Sequence, residues 1–402
     1  MRVLFTAFVP SHFMPMVPLS WALRAAGHEV VVAGYSDVTR LATAAGLATA
    51  ELGSDCSFAE NFPAVLPAPA AGARSVIEPM RPELGGSPTA RLTSAMPWDL
   101  LGAQWQLLVR NAIGDYLAFA RSWGPDLIVS ELDFNGLIVG GLLKAPVVLH
   151  RWGAEVLTTF VRAHATVALH DLCVNLGLPD GLPEPALHLD PAPPALQFPG
   201  LPAATSMRFV PYNGTGAVPA WATAPARRRI LVSLGMFGSA AVADDWRLAF
   251  VRNLAAVVDR AGDIELVLPF GTGFADHVGP LPGTVRIVDQ VPLNLVLAGA
   301  AAVIHHGGAG TALTAAAAGL PQLVLPQRHP AFLGCAERLE ATGAGLSLAP
   351  DAAVDNPAAL TAAVGMLLDD WRLQAGAARL AAQVSEQPTP AALVGLLESV
   401  AG

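Results

Sequence analysis

The chain begins with two short apolar runs separated by a helical pattern. Residues 3–8 are apolar apart from Thr6, as expected of a strand buried on both faces of a parallel sheet. Apolar residues then recur at helical spacing from Met16 to Ala26, and Gly27 ends this pattern. A second strand is predicted over residues 28–33. Because strand–helix–strand units cross over with a right hand, we expect the two strands to be parallel.

A similar unit begins near residue 229. The apolar run 230–234 is followed by Gly235, by a helix predicted over residues 244–260, and by a strand over residues 264–269. Two such units in one chain predict an α/β protein made of two Rossmann-like, doubly wound domains.

The boundary between the two domains is predicted from a change in composition. Residues 201–228 are rich in Pro, Ala, Gly and Thr and show no periodicity. We therefore expect one domain at 1–210, a linker at 211–228 and a second domain at 229–402. The last helix of the chain could pack back on the first domain.

A second irregular segment lies inside the first domain. Residues 52–90 are punctuated by Pro, Gly and Ser and lead into an apolar helical pattern that runs from Trp98 to Trp123. Loops of this length are uncommon in α/β domains unless they bind something, so we expect a binding loop. The alternative is a disordered surface excursion.

The amino-acid composition limits the kinds of molecule that the protein is expected to bind. The 402 residues are 53% hydrophobic and 14% charged, with a net charge of −9, and this acidic balance argues against nucleic acid. The longest apolar stretches, 134–149 and 298–325, are interrupted by charged residues, histidine, glycine or proline, so no membrane span is expected. Three cysteines without metal spacing predict no metal site. We expect a cytoplasmic protein that binds small molecules.

The most informative segment is a predicted strand that runs into a glycine-rich turn and an alanine-rich helix. It spans residues 303–313 and contains the residues His305, His306, Gly307, Gly308, Gly310 and Thr311. Glycines permit close approach of a ligand, and the first N–H groups of a helix favour an anion such as a diphosphate. The segment is neither a nicotinamide fingerprint nor a Walker loop. Its glycines could also serve only to make a tight turn.

A second candidate group lies in the first domain. His12 follows the first strand directly, at the sheet edge where open α/β proteins bind ligands, and an imidazole there can act as a general base. Glu131 ends the predicted strand 126–129 and could hold the far ring nitrogen of His12. Asp133 is the alternative partner, because in a continuing strand it would share a face with Glu131. A surface histidine without a catalytic role is the simpler alternative.

Together these segments resemble the family 1 nucleotide-sugar glycosyltransferases of the GT-B fold, especially the actinobacterial enzymes that glycosylate antibiotics and other natural products. Residues 303–313 resemble the His-His-Gly-Gly-(Ala/Ser)-Gly-Thr motif of that family. The resemblance extends over nearly the whole chain and includes residues 11–15, Gly27-His28, 125–131, 291–293 and 319–322.

The resemblance implies a GT-B arrangement of two domains that face each other across a cleft, and it assigns roles to the residues above. His12 matches the catalytic base, with Glu131 as its acidic partner. The donor residues implied are Gly235, Val291, His306, Gly307, Gly308, Gly310 and Thr311, with His306 at the diphosphate and the main chain of Val291 at the nucleobase. His305 is interpreted as a packed residue that orients the turn.

The implied reaction is an inverting transfer of a sugar from a nucleotide-diphosphate donor to a hydroxyl of an apolar aglycone. Phe13, Trp98, Trp105 and Trp152 are the expected acceptor-binding residues. The helix N-terminus and His306 make a metal unnecessary, and no cofactor beyond the nucleotide-sugar is expected. A homodimer is compatible with the sequence.

The sequence departs from the family pattern in the loop at residues 325–332, which lacks the Asp of the sugar-binding Asp-Gln pair found in many relatives. The absence of a carboxylate fits a donor with fewer hydroxyls, such as a dTDP-deoxysugar. Gln290 replaces a base-stacking tryptophan and Met236 replaces a hydroxyl residue.

Three alternatives remain. They are a C-glycosyltransferase acting on an aromatic polyketide, a non-catalytic nucleotide-sugar-binding auxiliary protein and, least favoured, a dinucleotide-dependent oxidoreductase.

Overall fold

The computed structural model describes residues 1–53, 96–154, 158–198, 201–223, 228–235, 245–327 and 329–402, and its contacts divide them between two units. The first unit comprises Met1–Ala192, Phe198–Gly214 and Gln387–Gly402, and the second comprises Pro193–Gln197 and Thr215–Glu386. The prediction of a binding loop at residues 52–90 lies, beyond Gly53, outside the described residues.

The first unit is a parallel sheet covered by helices. Its strands are β1 Arg2–Ala7, β2 Glu29–Gly34, β3 Ala48–Glu51, β4 Leu127–Glu131, β5 Val147–His150, β6 Leu187–Asp190 and β7 Thr205–Ser206. Its helices are α1 Pro10–Phe13, α2 Val17–Ala25, α3 Ser36–Ala44, α4 Trp98–Trp123, α5 Phe134–Leu143, α6 Thr158–Ala168 and α7 His170–Leu176. The strands lie in the order β3-β2-β1-β4-β5-β6-β7. All of the strand pairs are parallel.

The second unit repeats this plan. Its strands are β8 Arg228–Ser233, β9 Ile264–Leu268, β10 Val285–Ile287, β11 Ala300–His305, β12 Gln322–Val324 and β13 Gly345–Ser347, in the order β10-β9-β8-β11-β12-β13. Its helices are α8 Ala220–Thr223, α9 Asp245–Ala261, α10 Ala275–Val278, α11 Ala309–Ala317, α12 Pro330–Thr342, α13 Pro350–Asp355, α14 Pro357–Asp369 and α15 Trp371–Glu386. The prediction of two doubly wound α/β sheets is confirmed.

The last helix, α16 Val394–Ala401, belongs to the first unit. His28 Nε2 lies 3.0 Å from a carboxylate oxygen of Glu398, and the backbone N–H of Arg208 donates to the carbonyl of Pro388 at 2.7 Å. Conversely, Pro193–Gln197 groups with the second unit, where Arg338 donates to the carbonyl of Ala195 at 2.8 Å. The chain therefore passes between the units at these two places as well as near residue 215.

Burial follows the apolar pattern from which the strands were predicted. In β1, every residue from Val3 to Ala7 is buried, and two apolar clusters fill the space on the two faces of the sheet. Helix α4 has the predicted bounds and ends at Gly124, whose φ of 68° is a conformation that glycine adopts readily. No helix within the described ranges is both long enough and apolar enough to cross a membrane.

Candidate active site

The strand order changes direction between β1 and β4 in the first unit, and ligands of open α/β sheets bind at such points. Ala7 and Glu131, the last residues of these strands, are register partners. Helix α1 follows β1 directly and carries His12, whose Nδ1 lies 3.0 Å from Glu131 Oε2. The Glu131 side chain is fully buried, whereas 22% of the His12 side chain is exposed. The structure thus brings together the two residues predicted as the catalytic pair.

Asp133, the alternative partner of His12, does not lie on the same strand face as Glu131. Strand β4 ends at Glu131, and Leu132 has a φ of 36°, so the chain turns and Asp133 does not continue the strand face. Asp133 instead caps α5, where its Oδ1 accepts hydrogen bonds from the Asn135 backbone at 3.1 Å and from the Asn135 side chain at 3.0 Å. Burial raises the pKa of Asp133 to about 6, against hydrogen bonds that lower it.

The loop between Glu131 and Asp133 is held by buried hydroxyls. Thr6 Oγ1 donates to Ser130 Oγ at 2.9 Å, and Ser130 Oγ donates to the carbonyl of Asp133 at 3.1 Å. These bonds link β1 to the turn after β4. They fix the backbone from which the Glu131 side chain projects.

The aromatic residues predicted to bind the acceptor fall into different environments. Phe13 is fully buried in the core beside Phe5 and Met16, so its ring offers no surface to an acceptor in this structure. Trp98 is half-buried and stacks on His164, with ring centroids 4.1 Å apart. Trp105 is buried and meets the Phe134 ring edge-on at 5.4 Å. Sequence periodicity cannot distinguish such residues from a ligand-facing set.

Trp152 lies next to the catalytic pair. Its ring stacks on His12 with centroids 4.3 Å apart and an angle of 12° between the planes. Trp152 was predicted to bind the acceptor, and in the structure one of its ring faces lies against the imidazole.

In the second unit, the glycine-rich turn connects β11 to α11 at the corresponding change of strand order between β8 and β11. His306 Nδ1 lies 3.3 Å from the carbonyl oxygen of Ser233. A Cβ at Gly235 would lie 2.4 Å from the His306 ring, and one at Gly308 would lie 2.5 Å from it. Side chains at either position would displace the ring, so the structure explains both glycines by the close packing of His306.

The N-terminus of α11 is the candidate anion site. The first intrahelical hydrogen bond is donated by Ala312 to the carbonyl of Gly308 at 3.0 Å, so the N–H groups of residues 309–311 precede it. Thr311 Oγ1 lies 3.5 Å from Ser233 Oγ at the end of β8. Backbone N–H groups, a hydroxyl and the helix dipole together suit a diphosphate.

Gly307 shapes the turn between β11 and α11. Its N–H donates to His305 Nδ1 at 3.1 Å, so that group is engaged within the protein and not directed at a donor. Its φ is 98°, and a Cβ there would lie 2.8 Å from the carbonyl oxygen of Phe332. Glycine is needed at this position for the shape of the turn, and a contact between Gly307 and the donor stays a prediction.

His305 stabilises the glycine turn by hydrogen bonds, in line with its interpretation as a packed residue that orients the turn. Because Nδ1 accepts from Gly307, the ring proton resides on Nε2, which donates to Gln322 Oε1 at 2.9 Å. Gln322 in turn donates to the carbonyl of Ala312 at 3.2 Å. Gln322 was assigned no function from the sequence, although a glutamine that opens an otherwise apolar strand is a signal that could have found it. The residue is fully buried, and buried polar groups are hydrogen-bonded.

Both histidines of the motif are kept neutral by their surroundings. Burial, followed by the neighbouring His306, lowers the pKa of His305 to about 3. Burial lowers the pKa of His306 to about 4, against the opposing effect of the Ser233 carbonyl. With Nδ1–H directed at that carbonyl, neutral His306 has its lone pair on Nε2 and can donate from there only after taking up a proton.

The loop that lacks the family's Asp packs on the glycine turn. The Phe332 ring meets His306 edge-on, with centroids 4.9 Å apart, and His329 accepts a hydrogen bond from the Ala331 N–H at 3.3 Å to cap α12. Val291 is half-buried and packs in a separate apolar cluster of the second unit. Met236 lies outside the described residues.

Comparison with known proteins places the chain in a family. Residues 21–235 match the family model "Erythromycin biosynthesis protein CIII-like, N-terminal domain", and residues 252–400 match the model of the corresponding C-terminal domain.

Curated relatives match along nearly their whole length. The tylactone mycaminosyltransferase of Streptomyces fradiae is 33% identical over 430 residues, covering 99% of this chain and 92% of the relative. The 10-deoxymethynolide desosaminyltransferase of Streptomyces venezuelae is 33% identical, covering 100% of this chain and 97% of the relative. The TDP-daunosamine transferase of Streptomyces peucetius is 32% identical, with 100% and 97% covered.

Solved structures agree with this assignment. A spinosyn rhamnosyltransferase superposes with a TM-score of 0.82 and 34% identity, covering 99% of this chain and 100% of that one. The same enzyme complexed with thymidine diphosphate gives a TM-score of 0.81 over 99% and 100% of the two chains, with 34% identity. The chain therefore belongs to the erythromycin biosynthesis protein CIII-like family and is a glycosyltransferase of the GT-B fold.

Proposed function

We propose that this enzyme transfers a deoxysugar from a dTDP-linked donor to a hydroxyl of an apolar natural-product aglycone, with inversion at the anomeric carbon. The named relatives support the substrate classes. They include a TDP-daunosamine transferase and a spinosyn rhamnosyltransferase that has been seen with thymidine diphosphate and, separately, with the spinosyn aglycone.

The His12–Glu131 pair carries this proposal. Glu131 is buried and its carboxylate lies 3.0 Å from Nδ1, so the pair favours a proton on Nδ1 and leaves Nε2 as the basic nitrogen. Nε2 takes the proton of the acceptor hydroxyl while the hydroxyl oxygen attacks the anomeric carbon. The carboxylate of Glu131 then stabilises the imidazolium.

The donor side supplies the leaving group. As the new glycosidic bond forms, the bond between the anomeric carbon and the diphosphate oxygen breaks, and the electron pair leaves with the nucleoside diphosphate. The N-terminus of α11, with the hydroxyl of Thr311, stabilises this charge electrostatically. A direct displacement of this kind inverts the configuration and needs no divalent cation or further cofactor.

The apolar loop supports a donor with few hydroxyls. Ala331 and the half-buried Phe332 belong to the loop whose Asp-Gln pair, by resemblance, binds sugar hydroxyls in many relatives, and Phe332 lies against His306. A hydroxyl placed against such groups would lose hydrogen bonds to water without gaining any from the protein. A methyl group or a deoxy position has no hydrogen bonds to water to lose there.

A panel of donors and acceptors tests the proposal. The enzyme is incubated with dTDP-linked deoxysugars or UDP-glucose and with polyketide aglycones, and the products are identified by mass spectrometry. NMR coupling constants then give the anomeric configuration. We expect transfer from dTDP-deoxysugars with inversion. A retained configuration would remove the single-displacement mechanism, and a clear preference for UDP-glucose would remove the donor assignment.

A further inference from the structure

The imidazole of His12 lies between two different neighbours in the first unit. Glu131 meets the ring edge at Nδ1, and Trp152 covers one ring face at a centroid distance of 4.3 Å, with planes only 12° apart. The stacked indole limits the rotation of this ring about its side-chain bonds.

The chain next to Trp152 is anchored firmly. Trp152 follows β5, and the neighbouring residue Arg151 extends the ladder by donating its N–H to the carbonyl of Leu189 at 2.9 Å. The Arg151 side chain forms a buried ion pair with Asp190 at 2.8 Å and donates to the carbonyl of Pro202 at 3.0 Å. The backbone that carries Trp152 is therefore fixed by the sheet and by a buried charge pair.

We infer that Trp152 is a positioning residue for the general base, because its stacked ring fixes the plane of the imidazole while Nδ1 lies 3.0 Å from Glu131 Oε2. This inference rests on the proposed function of His12. The π face of an indole also attracts a cation, so the stack stabilises the imidazolium that forms when His12 accepts a proton. Trp152 thus assists the proton transfer without contacting the reacting atoms.

The other charges around His12 are few within the described part of the chain. Glu131 faces the ring from β4, and in the following turn burial and then the charge of Glu131 raise the pKa of Asp133. Helix α3, which packs against α1, carries Asp37 and Arg40, whereas the helical turn Met14–Met16 has no titratable side chain. None of these groups changes when Trp152 is replaced, so a change in the titration of His12 reports on the stack.

An acceptor-binding role for Trp152, as the sequence analysis expected, predicts different behaviour. A tryptophan that serves only as a wall for the aglycone raises the acceptor KM when it is removed and leaves the pH dependence of kcat unchanged. The stacking role predicts a changed pH dependence of kcat and little change in the acceptor KM.

The test compares Trp152→Leu, Trp152→Phe and, as a matched control, Trp371→Leu, which removes a tryptophan that is 67% exposed in the second unit. Two readouts are recorded for each variant. One is the pH dependence of kcat with both substrates saturating, and the other is the NMR titration of the His12 ring, whose signal is identified by its loss in His12→Ala.

For Trp152→Leu, we expect the midpoint of the acidic limb and of the NMR titration to fall by about 0.4–1.5 pH units, because a cation–π contact favours the protonated ring. By the same reasoning kcat falls about 2- to 30-fold, with little change in the acceptor KM. Trp152→Phe should recover at least half of both effects, and Trp371→Leu should change neither.

Three results would overturn the inference. They are unchanged midpoints in Trp152→Leu, an effect confined to the acceptor KM, or a Trp152→Phe variant as impaired as Trp152→Leu. Full turnover by His12→Ala would instead refute the proposed function, and the NMR titration would still decide whether Trp152 acts on His12.

Discussion

Replacing Gly308 with alanine tests whether the glycine turn is shaped around the ring of His306. The backbone of Gly308, with φ −64° and ψ 131°, is a conformation that any residue adopts, so alanine brings no backbone strain. Its Cβ, however, would lie 2.5 Å from His306 Nε2 and 2.6 Å from Cε1. Favourable contacts between carbon atoms are about 3.5–4 Å, so the ring must move by about 1 Å.

We expect Gly308→Ala to lower the free energy of unfolding by about 1–3 kcal/mol, the usual cost of overpacking. It should also lower kcat/KM for the donor by up to about 10²-fold, the cost of a group misplaced by about 1 Å. Urea unfolding and steady-state kinetics measure the two effects.

The His306→Ala background provides the decisive comparison. Without the ring there is no clash, so Gly308→Ala should cost less than about 0.5 kcal/mol there. Gly365→Ala is the control, because nothing lies within 4 Å of a Cβ at this helical position, and it should raise stability by about 0.5–1 kcal/mol. Equal losses from Gly308→Ala in both backgrounds would refute the packing argument.

Two further predictions concern the buried groups beneath the donor turn. Gln322→Leu leaves the buried His305 Nε2–H without its acceptor, so we expect a loss of about 1–3 kcal/mol in unfolding free energy and a raised donor KM; an unchanged donor KM would contradict a positioning role. Because burial lowers the pKa of His305 to about 3 and that of His306 to about 4, from 6.5, the unfolded chain binds protons below pH 6.5 that the folded chain does not. The stability contributed by the two neutral histidines is therefore complete above pH 6.5 and is lost as the pH falls towards 4 and 3. Urea unfolding between pH 7 and 4 should show a smaller decline in unfolding free energy for His306→Gln than for the parent. Equal declines would contradict this pH dependence.

The sequence was sufficient for the architecture because the apolar periodicity and the glycine stops are local signals. Helix Trp98–Trp123 has its predicted bounds, and the turn carrying His306 connects a strand to a helix as predicted. Contacts between residues far apart in the chain could not be predicted from these local signals. Phe13 shares its apolar character with a ligand-facing residue, and only packing shows that it is core.

Two details of the site depend on the backbone. Asp133, the alternative partner of His12, would share a face with Glu131 only in a continuing strand, and the positive φ of Leu132 turns the chain first. The N–H of Gly307, a predicted donor-binding residue, is taken by His305, two residues earlier. Both details depend on backbone dihedral angles that the residue types alone do not specify.

His12 is the proposed general base, and the glycine turn packed around the His306 ring is the proposed site of the donor diphosphate. The most direct test measures kcat and the dissociation constant for thymidine diphosphate in His12→Ala, Glu131→Gln and His306→Ala. We predict that His12→Ala loses about 10² to 10⁴ in kcat, the usual contribution of one acid–base group, with affinity for the nucleotide unchanged. Glu131→Gln should lose kcat in the same way, and His306→Ala should bind the nucleotide more weakly. Parental kcat in His12→Ala together with parental nucleotide affinity in His306→Ala would contradict the account.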